Sequence, residues 1–191
     1  MPDDENCFYV IGLLLGKAVF EGILVESRFA QFFLRKLLGH ANLVDDLHSL
    51  DREVANSLAQ IKRAARGFLD EAEKRRRERA GGMAVAGHKR GMAGPETGTG
   101  PAEGVIDDPV EDMCLTFTAP IEAMDAVLRQ EPLMPGGNDT DVTSANASRY
   151  VALRAHHMLN RQIARQTKAF LLGFRQVVPL RYLRMFTPTE L

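Results

Sequence analysis

Few side chains in this 191-residue sequence have the chemistry of a nucleophile, a general base or a metal ligand. The two cysteines, Cys7 and Cys114, lie far apart along the chain. A reactive thiol needs a helix N-terminus, a neighbouring imidazole or a cation to favour its thiolate. Cys7 instead opens an apolar run, and Cys114 sits between Met113 and Leu115 in a stretch that alternates like a strand. Free cysteine is among the most buried residue types, so both are expected to be packing residues. His156 and His157 are adjacent, and neighbours on a helix point about 100° apart, whereas a helical metal pair needs i and i+4. Neither has a Cys, Asp or Glu one turn away. A solvated or partly buried pair is expected, with no metal and no cofactor. An enzyme pairing Cys114 with His156 or His157 is the outside alternative. The run Lys74 to Arg79 is broken by Glu78 and preceded by Glu71 and Glu73 without interleaved aromatics, so it reads as a solvated face or disordered arm, not a nucleic-acid patch. Gly12 and Gly16 have a G-x-x-x-G spacing, which in a soluble helix implies close packing.

The composition narrows the class further. Lys plus Arg number 24 against 25 Asp plus Glu, a formal net charge of -1, so no global field attracts nucleic acid or an acidic membrane. With 45% apolar residues the chain can bury one core. Asp3, Asp4 and Glu5 are the opposite of a secretory leader. The uncharged stretch from Asn6 to Gly16 falls short of the roughly 18 apolar residues that span a bilayer. Two separated cysteines suit a reducing compartment, and a cytoplasmic or nuclear protein is expected.

Three zones must position these residues. Over about 7–65, helical periodicity places Phe8, Ile11, Leu15, Ala18 and Val19 on one face, with Gly22 interrupting. Ser27 is the expected N-cap of a second helix with the stripe Phe29, Phe32, Phe33, Lys36 and Leu37, stopped by Gly39. Asp51 caps a third that turns Val54, Leu58 and Ile61 inward. Residues 66–112 open with alternating charge and pass into a Gly, Ala, Thr and Pro mixture, expected as a low-complexity, largely disordered insertion. Then Met113, Leu115, Phe117 and Ala119 predict one strand and 126–130 another, before a turn at Pro135-Gly136-Gly137. Capped by Thr143 or Ser144, a spine helix over 145–174 would be roughly 45 Å long, its inward stripe Leu159, Ile163, Phe170 and Phe174. The fold class is α+β, predominantly α-helical.

These segments, taken in order, resemble consecutive blocks of the HECT domain family. They are Ile11-Gly12-Leu13-Leu14-Leu15-Gly16-Lys17-Ala18, Gly22-Ile23-Leu24-Val25, and Phe32-Phe33-Leu34-Arg35-Lys36-Leu37-Leu38-Gly39. Beyond the insertion come Leu115-Thr116-Phe117, Met134-Pro135-Gly136-Gly137, Leu159-Asn160-Arg161-Gln162-Ile163, Ala169-Phe170 and Gly173-Phe174. The resemblance covers nearly all of 6–191 outside the insertion and implies the large subdomain of a HECT N-lobe, with a small antiparallel sheet and one long spine helix. The wording of Leu159 to Ile163 and of Leu183-Arg184-Met185-Phe186 is nearest to the proteasome-associated branch.

The resemblance implies ubiquitin transfer from a conjugating enzyme to a ligase cysteine, then to a substrate lysine. The implied partners are a conjugating enzyme, ubiquitin, protein substrates and, from the branch, the proteasome. In the family the reactive cysteine lies in a separate C-lobe within a Thr-Cys-Phe/Met-Asn context that this sequence lacks. No catalytic residue is therefore carried over, and the expectation is a HECT fragment that is inactive alone. The alternative is a non-catalytic module that binds ubiquitin or a ligase.

Overall fold

The computed structural model describes residues 2–25, 29–85, 107–122, 128–183 and 185–187. They form α1 (Pro2–Phe20), α2 (Gln31–Leu37), α3 (Arg52–Val85), β1 (Thr118–Glu122), β2 (Leu128–Pro132), α4 (Ala147–His156), α5 (Ala164–Val177) and α6 (Leu180–Leu183). Short 3₁₀ turns lie at Val44–Ser49, Glu111–Met113 and Gly137–Asp139. The described fold is thus predominantly helical, with one two-stranded antiparallel sheet in which Thr118 faces Pro132 and Glu122 faces Leu128. Two compact units are distinguished, one of Met1–Leu58 with Val151–Leu191 and one of Ala59–Tyr150.

In the first unit α1 lies against α5, with its small residues at the contact. Cβ atoms at Gly12 and Gly173 would overlap the carbonyl oxygens of Phe170 and Tyr9, and one at Gly16 would lie 2.9 Å from the Phe174 carbonyl. The glycines let the two backbones approach, which is the close packing expected of their spacing. They also decide which face of α1 is buried. The expected stripe is met only in part: Leu15 packs against the core and Ala18 is half-buried, but Phe8, Ile11 and Val19 keep 38%, 49% and 44% of their surface exposed. Backbone proximity at the glycines, together with Leu15, sets the docking face.

Glycine also ends α1 and α2. Gly22 and Gly39 adopt φ of 71° and 83°. Behind each, the next N–H reaches back to close the helix, Ile23 to the Ala18 carbonyl at 2.8 Å and His40 to the Arg35 carbonyl at 2.8 Å. Both are Schellman terminators. Ser27 lies outside the described residues, and α2 begins at Gln31 with Ala30 as a cap that makes no side-chain bond. Its orphan Phe32 N–H is accepted instead by Ser49 Oγ at 3.1 Å, from the neighbouring 3₁₀ turn. Leu37, Leu38, Phe170, Phe174, Val178 and Leu183 form the buried core of this unit.

Asp51 caps α3 as expected, accepting the Val54 N–H at 3.0 Å. The helix does not stop at 65, however. It continues to Val85, so the first part of the expected insertion is helical, while 86–106 lie outside the described residues. Alternating charge suits a solvated helix: Arg75 pairs with Glu71 at 2.7 Å and Arg77 with Glu73 at 3.5 Å, both at i,i+4. Residues 107–112 are ordered as well, with Val110 fully buried.

In the second unit Val110, Phe117, Ala119, Val142 and Tyr150 are buried, Phe117 meeting Tyr150 edge-on at 5.6 Å. The strand expected from 113 starts later, because Cys114 takes a left-handed φ of 48° and breaks the extended run. Before β1, Thr116 makes only an isolated bridge to Asp141. Gly136 supplies the expected left-handed turn with φ of 72°, and Gly137 lies against the Phe117 carbonyl, where a Cβ would overlap.

Candidate functional site

The expected spine helix is divided. Between α4 and α5, His157–Arg161 form a π turn, with the Gln162 N–H donating to the His157 carbonyl at 2.9 Å. A π turn is one residue wider than an α turn and re-aims the helix beyond it. Ile163, at φ −109° and ψ 12°, then restarts the helix. The turn falls on the Leu159 to Ile163 block that carried part of the resemblance. Leu159 is buried, and its carbonyl accepts a hydrogen bond from Lys36 Nζ of α2. Burial lowers the Lys36 ammonium below the ordinary lysine range. The apolar stripe of α2 therefore includes a cation whose head ties α2 to the π turn.

The histidine pair is split by the same turn. His156 is exposed, and His157 is 2% exposed within the first unit. Among the described residues no cluster of three metal-ligating side chains occurs.

Both cysteines differ from expectation, since both thiols are exposed. Cys7 faces outward from α1, whose packing face is taken by the glycines. Cys114 closes the 3₁₀ turn at Glu111–Met113, and its Sγ lies 3.8 Å from the Asp112 carbonyl. The left-handed backbone turns Cys114 away from the sheet face on which alternation would have buried it. Cys114 belongs to the second unit and the histidines to the first.

One polar site was missed at the sequence level. Asp108 accepts the Ser144 N–H at 2.8 Å, the Ser144 hydroxyl at 2.5 Å and the Val110 N–H at 2.9 Å. Burial alone would raise its carboxyl, but the bonds from Ser144, Val110 and Glu111 together outweigh that and hold it below the usual carboxylate range. Asp108 thereby anchors the approach to α4, where Thr143 and Ser144 were expected to cap. The Thr143 N–H is in turn accepted by Asn146 Oδ1 at 2.8 Å. The Asp108-Pro109 pair is a turn signal that could have located it.

Beyond these groups, the first unit leaves much apolar surface uncovered. Val10, Leu14 and Phe20 on α1 are 48%, 61% and 75% exposed, and Leu24 after it is 91% exposed. No described helix is long and apolar enough to cross a membrane.

Comparison with known proteins agrees with this architecture. The family model described as HECT-domain (ubiquitin-transferase) matches residues 2–191. Ubiquitin-protein ligase E3B of Homo sapiens is 32% identical over 189 residues, covering 96% of this chain and 14% of that protein. The probable E3 ubiquitin protein ligase C167.07c of Schizosaccharomyces pombe is 30% identical over 187 residues, with 97% and 14% covered. E3 ubiquitin-protein ligase UPL6 of Arabidopsis thaliana is 32% identical over 184 residues, with 96% and 14% covered. The chain thus spans about 14% of the length of these curated relatives. A match along the whole chain, on a predominantly helical fold whose glycines and π turn fall within the blocks of resemblance, places this chain in the HECT-domain ubiquitin-transferase family.

Proposed function

We propose that this chain is the supporting N-lobe portion of a HECT-type ubiquitin ligase, with the reactive cysteine carried outside residues 1–191. In the relay, a ligase thiolate attacks the thioester carbonyl linking ubiquitin to its conjugating enzyme and releases that enzyme's thiol. A substrate lysine amine then attacks the new thioester, forms the isopeptide bond and frees the ligase thiol. The role of this chain is to hold the two mobile reacting parts at productive distance, which requires a stiff base. The observation that carries the reading is the family match over residues 2–191 on closely packed helices. The positions of Cys7 within α1 and of Cys114 at the C-terminal end of a 3₁₀ turn, neither at a helix N-terminus, support it. A conjugating enzyme, ubiquitin, protein substrates and the proteasome are the proposed partners, in the cytoplasm or nucleus.

The test is a charging reaction with activating enzyme, conjugating enzyme, ubiquitin and ATP, resolved on non-reducing gels. The expected result is no thiol-reducible ubiquitin adduct on the chain. An adduct that disappears with Cys7→Ser or Cys114→Ser would place the reactive sulfur inside the chain and refute the proposal. A second reading, a non-catalytic module that binds ubiquitin or a ligase, is favoured by the exposed apolar surface of α1. Titrating ubiquitin into the labelled chain separates the two, since saturable binding without charging in any longer form of the protein supports the module.

A further inference from the structure

The spine of the first unit contains one residue more than its buried positions can use. Val151 and Ala155 of α4 are buried, as are Phe170 and Phe174 of α5. Nineteen residues separate Val151 from Phe170, and nineteen separate Ala155 from Phe174. At about 100° per residue, an unbroken α-helix would set each pair roughly 100° out of phase. About eighteen residues make five whole turns and would put both pairs on one face.

The π turn lies between the members of each pair. Its bond from the Gln162 N–H to the His157 carbonyl closes a loop one residue wider than an α turn. One residue is thereby taken up without carrying the helix further round. The departure at Ile163 is brief, since the Thr167 N–H already donates to the Ile163 carbonyl at 2.9 Å.

A widened turn is rare because the tighter α ladder competes with it, so it calls for support from outside the helix. Lys36 of α2 supplies that support by donating from Nζ to the Leu159 carbonyl. Hydrogen bonds from an ammonium are the stronger kind, and half-burial of Lys36 limits the water that competes. Its neighbours Leu37 and Leu38 share a buried cluster with Phe170 and Phe174, so the reach of the lysine is fixed relative to α5.

We propose that the π turn is a one-residue phase corrector that aligns the buried positions of α4 and α5, and that Lys36 is its latch, a positioning residue that holds the widened turn at the Leu159 carbonyl. Phase matters beyond the spine, because rotation of α5 decides whether Gly173 is the residue that meets the Tyr9 carbonyl of α1.

The test removes Asn160, which lies in the turn. The shortened chain should fold with regular α-helical carbonyl-carbon shifts from Val151 through Phe174, and with the ring contact of Phe33 to Phe170 kept in its NMR spectrum. In the full chain, Lys36→Met should lower the folding constant about ten-fold and Lys36→Arg should recover most of that loss. Lys36→Met should also speed amide exchange at Gln162 more than elsewhere in α4 and α5. In the shortened chain Lys36→Met should cause no loss, since no widened turn remains to be held. Helical shifts still interrupted after the deletion overturn the phase argument. A loss from Lys36→Met as large in the shortened chain as in the full one overturns the latch. Should the deletion prevent folding, exchange in the full chain decides. Selective acceleration at Gln162 supports the proposal, and uniform acceleration along α4 and α5, as a merely structural lysine would give, overturns it. None of these outcomes depends on ubiquitin charging.

Discussion

Alanine placed at each helical glycine should change stability with opposite signs, and the structure sets the order. In a helix interior, Gly→Ala is favourable by about 0.8–1.0 kcal/mol from backbone entropy alone. Gly67 in α3 has nothing within 4 Å of an added Cβ, so Gly67→Ala should stabilise by about 0.5–1 kcal/mol. At Gly16 the new carbon would lie 2.9 Å from the Phe174 carbonyl oxygen, where ordinary contact begins at 3.4 Å. That overlap costs about 1–3 kcal/mol as overpacking, so the net change is a loss of roughly 0–2 kcal/mol. At Gly12 and Gly173 the overlap is deeper, and the opposing atoms are backbone oxygens that cannot rotate aside. For these the helices must separate, and the net loss should be about 2 kcal/mol or more. Urea denaturation followed by circular dichroism measures the set. Amide exchange in α1 and α5 assigns each change to its unit, since Gly67 lies in the other one. If Gly12→Ala and Gly173→Ala stabilise as Gly67→Ala does, the close approach of α1 and α5 is wrong. The Phe8, Ile11 and Val19 stripe would then have to be the docking face.

Three further outcomes rest on single contacts. Asp108→Ala should destabilise the second unit by about 1–3 kcal/mol, because it strips acceptors from Ser144 and Val110. Because the folded carboxyl titrates below its ordinary value, its contribution is present above about pH 4 and fades as pH falls through the lower folded value. Acid unfolding of the substituted chain, followed by the near-ultraviolet signal of Tyr150, should therefore be flatter in that window. Ser49→Ala should cost about 0.5–2 kcal/mol and speed amide exchange at Phe32, whose N–H it leaves unpaired. Leu14→Gln on the outer face of α1 should stay within about 0.5 kcal/mol in thermal melts, because no neighbour in the first unit depends on it.

Local chemistry was legible from the residues. Asp51 before an apolar period is a cap wherever the helix packs, and Gly22 and Gly39 end helices because only glycine enters the left-handed region cheaply. The turn at Gly136 was readable for the same reason. Length of α3 was not, since low-complexity composition and a solvated helix with i,i+4 ion pairs share their residue types. Alternation around Cys114 suggested a strand, but alternation cannot register a single left-handed residue that turns the thiol outward.

The sequence by itself determined family and element order, because collinear blocks and local punctuation are properties of the chain as written. Tertiary structure decided which face of α1 is buried, that a π turn divides the spine, and that Lys36 and Asp108 tie distant segments together. Each of these depends on the approach of backbones remote in sequence, and the sums of overlap and hydrogen bonding that settle them exist only once the chain is folded.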